Sequence, residues 1–81
     1  MTLKDLVASY RRHAGDYGRA VHLSELGLSK ADLERGLSAF EEDYQISRFF
    51  QLTREPGAAA FYINGFEYTH LAILPEIETI L

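Results

Sequence analysis

The chain has 81 residues, a single methionine and no cysteine, which sets it as one domain with no disulfide staple and no thiolate for metal binding or attack. Hydrophobic residues make up 47% of it, enough to exclude disorder as the main reading while limiting the core to a modest size. The formal net charge of −4 opposes non-specific attraction to phosphate, since that attraction comes from Lys and Arg displacing counterions.

The first helix is marked by Leu3, Leu6, Val7, Tyr10, Ala14 and Tyr17, which recur at three- and four-residue steps and share one face. Thr2 is its expected cap, with Asp5 closing a capping box, and Gly15 and Gly18 supply the stop. Lys4, Ser9, Arg11 and Arg12 fall on the opposite face. Charges interrupt every apolar run near the start, so neither a signal peptide nor a membrane span is expected, and a cytoplasmic location is.

Ala20-Val21-His22-Leu23 reads as a short extended stretch, and Ser24 to Gly27 has room for about one helical turn. Ser29 then caps the main helix, with Asp32 as its box partner. Leu33, Leu37, Phe40 and Tyr44 form the core stripe of that helix, and Lys30, Ala31, Glu34, Arg35, Ser38, Glu41 and Glu42 its outer side. Gln45 to Thr53 alternates like a strand, Arg54-Glu55-Pro56-Gly57 reads as a hairpin turn with Pro56-Gly57 at its centre, and Ala58 to Ile63 returns as a second strand. In that hairpin Phe49 and Tyr62 share one face, which is either exposed as a pair of aromatics for a protein contact or covered by the C-terminal segment.

Asn64-Gly65-Phe66-Glu67 has the form of a helix start. Phe66, His70, Ile73 and Ile77 lie on one helical stripe, with Leu71, Leu74 and Leu81 beside it. An apolar face this wide suggests a homodimer through the tail. The competing reading is a strand that runs past Gly65 through Tyr68.

Leu23-Ser24-Glu25-Leu26-Gly27-Leu28-Ser29 as a turn, then Leu33, Leu37 and Phe40, then Ile46-Ser47-Arg48 entering a hairpin, make the chain resemble a winged helix-turn-helix domain of the MarR-like or PadR-like kind. Ile63-Asn64-Gly65-Phe66-Glu67-Tyr68 is similar to that family's exit into its last helix. The likeness covers residues 3 to about 70. It implies an α+β fold with three N-terminal helices, a helix-turn-helix over about 22–44, a β-hairpin wing over about 45–63 and a C-terminal helical segment over 64–81. It also implies a DNA-binding regulator of bacterial or phage-like type, working as a cytoplasmic homodimer. The chain departs from the family in its very short second helix and in a wing with only Arg54, beside Glu55, near its tip.

Two functional expectations follow. If double-stranded DNA is the partner, Lys30, Arg35 and Ser38 would meet bases or phosphates, Arg54 would meet the backbone, and Arg11, Arg12 and Arg19 would add phosphate contacts. If a protein is the partner, Phe49, Tyr62, Phe66, Ile73, Ile77 and Leu81 would form the interface. No catalytic residue, metal site or cofactor is expected. His13, His22 and His70 lie on three different elements, adjacent Glu41 and Glu42 diverge by about 100° on a helix, and no glycine-rich phosphate loop is present.

Overall fold

The computed structural model describes residues 1–81. Helix α1 spans Leu3–Ala14. The Thr2 hydroxyl accepts from the Asp5 amide and the Asp5 carboxylate accepts from the Thr2 amide, so the capping box forms in full. Gly15 ends the helix at φ 83°, a conformation that costs a residue without Cβ little. The chain then forms strand β1 (Val21–His22) and a single 3-10 turn over Leu23–Leu26. Gly27 makes the exit at φ 73°. Helix α2 covers Lys30–Glu42, with the Ser29 hydroxyl accepting from the Asp32 amide.

The main helix does not run on to Tyr44. Asp43 breaks it at φ −97°, ψ 105°, and its side chain caps a separate four-residue helix, α3, over Tyr44–Ser47. This corrects the strand expected from Gln45, which starts only at Phe50, as β2 (Phe50–Thr53). It also swings Tyr44 off the core stripe and leaves it 72% exposed.

The Pro56-Gly57 turn is present, with the Ala58 amide donating to the Glu55 carbonyl at 3.3 Å. It does not join two paired strands. Strand β3 (Phe61–Ile63) pairs forward with β4 (Phe66–Tyr68) instead, in a two-stranded hairpin. The helical reading of the tail is overturned at the same point. Asn64 and Gly65 both have positive φ, 51° and 82°, which is a type I′ hairpin turn and not a helix cap. Strand β5 (His70–Ile73) follows, and only a 3-10 segment, Pro75–Thr79, is helical beyond it. The competing strand past Gly65 does not run on either: the chain is extended there but reverses at Asn64-Gly65, and Phe66–Tyr68 pairs back on β3.

Strand β5 is the centre of an antiparallel sheet of order β1-β5-β2. Val21 faces Leu71 and His22 faces His70 on one side; Phe50 faces Ile73 and Thr53 faces His70 on the other. The result is an α+β fold with three helices and a small antiparallel sheet. Its core joins Leu6, Val7 and Tyr10 of α1 to Leu23 and Leu26, to Leu33 and Leu37 of α2, and to Leu71 and Ile73 of β5. Burial of this apolar surface drives the fold. Two buried polar groups are satisfied locally: Ser9 donates to the Leu26 carbonyl, and the Tyr10 hydroxyl to the Arg19 carbonyl.

Candidate interaction surface

A helix turns 100° per residue, so Lys30, Glu34, Ser38 and Glu41 form one flank of α2 beside its core stripe. The β3–β4 hairpin stands against that flank. The Glu34 carboxylate accepts from the Tyr62 amide at 2.7 Å. The Ser38 hydroxyl accepts from the Asn64 amide, and the Ser38 carbonyl from the Asn64 side-chain amide, both at 3.1 Å. The Lys30 ammonium lies over the Phe61 ring, 5.6 Å from its centroid. Phe61 and Ile63 are buried by this arrangement, and burial holds the Glu41 carboxyl above the usual carboxylate range. Ser38 thus holds the hairpin turn and does not stand free.

The face of α2 left open carries Ala31, Asp32, Arg35, Ala39 and Glu42, all exposed. It has one positive charge against two negative. Arg35 itself lies 3.6 Å from Asp32. Other candidate cations also sit beside carboxylates: Arg11 is 3.3 Å from Glu78, and Arg54 is 3.2 Å from Glu67. Such exposed pairs contribute at most about 1 kcal/mol, so pairing alone would not withhold these side chains from phosphate. What matters more is that each of these three cations comes with an acid. Arg12 and Arg19 are exposed and make no ion pair within 4.0 Å. Arg12 borders a cleft of about 380 Å³ between α1 and the Gly27 turn, with Asp5 and Asp32 on the same rim.

The apolar candidates divide differently from the sequence expectation. Tyr62 and Phe66 are 56% and 67% exposed, and Leu81 is 47% exposed. Phe49, Ile73 and Ile77 are buried within the chain, which corrects their assignment to an interface. Phe49 precedes β2 and takes the Leu74 amide on its carbonyl, with the Arg48 guanidinium 4.6 Å above its ring. Ile73 and Ile77 fill the core from β5 and the last 3-10 segment. Leu71, Ile73 and Ile77 of the tail's apolar face are therefore consumed inside one chain, while Phe66 and Leu81 stay exposed.

Tyr62 and Phe66 point to opposite faces of the hairpin. Phe66 is the register partner of Ile63, so the two share a face, while Tyr62 shares the other face with its partner Glu67. The Tyr62 hydroxyl donates to the Glu67 carboxylate at 2.9 Å, and that bond to an anion raises the phenol's pKa.

The sheet brings together two histidines that lie far apart in sequence. His22 and His70 are register partners, with ring centroids 5.1 Å apart and rings nearly perpendicular. His13 is elsewhere, its Nδ1 2.8 Å from the Ser9 carbonyl. No three His, Cys, Asp or Glu side chains gather closely enough to hold a metal ion. No helix is long and apolar enough to cross a membrane. Sequence reasoning missed the histidine pair and the anchoring role of Asn64. The signal for Asn64 was available in the Asn-Gly dipeptide between two alternating runs. None of the family models, characterised proteins or solved structures compared with this chain matches it.

Proposed function

We propose that this chain is a non-enzymatic binding module on a winged-helix-like scaffold, and that it works by protein contact. The scaffold reading is supported by element and strand order. Helix, strand, short turn, second helix, strand, long loop and return strand follow one another, and the return strand β5 sits between the first two strands. In these terms the β3–β4 hairpin is an addition inside the wing, folded back on the flank of the second helix.

The observation that carries the functional reading is the character of the exposed surface beside that hairpin. The open face of α2 has more acid than base, while Tyr62 and Phe66 stand exposed on the hairpin. A groove-reading helix needs the opposite charge balance. Exposed aromatics on a hydrogen-bonded hairpin supply apolar area at low ordering cost, which is what a protein interface uses.

A labelled random duplex tested by fluorescence anisotropy at low salt separates the two partner classes. Protein contact predicts no saturable binding. Saturable binding that weakens steeply with salt would favour the duplex reading, carried by Arg35 with Arg12 and Arg19, and Arg35→Glu would then abolish it. In the protein-contact reading, Phe66→Ser removes capture of the partner and leaves the fold intact.

A further inference from the structure

Strand β2 is an edge of the three-stranded sheet, paired with β5 on one side only. In an antiparallel ladder the backbone groups of successive residues point to opposite sides of the strand. The Phe49 carbonyl takes the Leu74 amide, so Phe49 is turned toward β5, and Gln51, two residues on, is turned the same way. The amides and carbonyls of Phe50 and Leu52 therefore point outward. No backbone group of a turn or loop bonds to them. Four strong hydrogen-bonding groups stand on this open edge.

Edges of this kind are ordinarily closed to other chains by a charge, a proline or a bulge in the strand. Strand β2 has none of these. Phe50-Gln51-Leu52-Thr53 is uncharged, contains no proline or glycine, and pairs with β5 residue for residue. The cations at its two ends are turned to their own chain: Arg48 lies over the Phe49 ring, and Arg54 is 3.2 Å from Glu67. Phe50 belongs to the core and Leu52 packs against it, while Gln51 and Thr53 are exposed.

We propose that β2 pairs antiparallel with β2 of a second copy of this chain, about a two-fold axis through Gln51. The strand is complementary to itself in that register. Phe50 meets Leu52 of the second copy, and Leu52 meets its Phe50, as hydrogen-bonded pairs that use all four outward groups of each strand. Their side chains continue the core face across the junction. Gln51 meets Gln51 of the second copy as the closer, non-hydrogen-bonded pair, and each side-chain amide offers the other both a donor and an acceptor. A second copy suits this edge better than a charged peptide, for which the strand holds no ion-pair partner. The contact is short, so the dimer is weak, and it is independent of whatever the β3–β4 hairpin takes.

Sedimentation of the full chain over rising concentration tests this. A monomer–dimer equilibrium is expected, and salt should strengthen it, because each copy carries a net charge of −4 whose repulsion is screened. Gln51 is exposed, so Gln51→Lys and Gln51→Glu keep the fold, which melts confirm. Each sets like charges opposite one another and should weaken association about fivefold. An equimolar mixture of the two should restore it, since the charges then oppose as an ion pair. In the parent chain, exchange protection of the Phe50 and Leu52 amides should rise with concentration. A chain that stays monomeric throughout overturns the proposal and leaves the edge to an extended segment of another protein. A dimer indifferent to both Gln51 variants, or one that forms without protecting Phe50 and Leu52, lies elsewhere and overturns it too.

Discussion

Asn64 and Ser38 are joined at two points, backbone amide to hydroxyl and side-chain amide to carbonyl, both at 3.1 Å. This pair ties the hairpin turn to the third turn of α2. Asn64 also holds φ 51°, which asparagine tolerates better than most side chains. Asn64→Ala should cost about 1–3 kcal/mol, from the lost side-chain bond to the Ser38 carbonyl and from a positive φ that alanine tolerates less well. Urea melts should show a loss in Ser38→Ala as well, since it removes the other bond, hydroxyl to backbone amide. Unchanged melts for both variants would mean that neither bond holds the hairpin.

Phe49 and Phe66 make a contrasting pair. Phe49 is 8% exposed and Phe66 is 67% exposed. Phe49→Ser should destabilise the fold by about 3–5 kcal/mol or unfold it outright, as for other buried aromatic truncations. Phe66→Ser should stay within about 0.5 kcal/mol of the parent in the same melts and lose only binding. Equal melts for both variants would contradict the packing described.

Ser9 is buried and donates to the Leu26 carbonyl across the α1–turn junction. Ser9→Ala leaves that carbonyl without its partner and should cost about 1–3 kcal/mol. Ser9→Gly would cost more, by adding helix entropy. Thermal melts check both, and a neutral Ser9→Ala would show that water takes over the bond.

Asp5 and Glu41 should move stability with pH in opposite directions. The Thr2 side chain and backbone hold the Asp5 carboxyl below its ordinary range. Its contribution is present above the unfolded-state pKa and lost as pH falls through the folded value. Burial holds Glu41 above its ordinary range, so ionising it opposes folding, and the penalty grows as pH rises through the carboxylate range. Glu41→Gln should therefore raise stability at neutral pH and change nothing in acid, where Glu41 is already neutral. Thr2→Ala should return Asp5 to its ordinary titration, which carboxyl NMR would follow.

The parts of this fold legible in the sequence are those set by local chemistry. Thr2 with Asp5 and Ser29 with Asp32 announce two helix starts because a cap needs its partner three residues away. Leu6, Val7, Tyr10, Leu33 and Leu37 announce the core because helical spacing gathers them. The tail was not legible in the same way. His70-Leu71-Ala72-Ile73 is a short apolar run that suits a helix or a central strand equally, and only pairing with β1 and β2 on both sides decides for the strand. Asn64-Gly65-Phe66-Glu67 satisfies a cap pattern and a hairpin-turn pattern at once. Burial of Phe61 and Ile63 against α2 selects the hairpin. The histidine pair depends on the register of strands some fifty residues apart, which no local pattern carries.

Thr53 and His70 are register partners at the end of the sheet where β2 and β5 separate, and the hairpin lies wholly within the chain that leaves one and returns to the other. Its ends therefore meet at neighbouring points on a ladder that does not depend on what lies between them. Such a segment can change in length without shifting the register of the three-stranded sheet, provided Phe61 and Ile63 keep their seats in the core. Its outer side, where Tyr62 and Phe66 stand exposed, is the part free to vary.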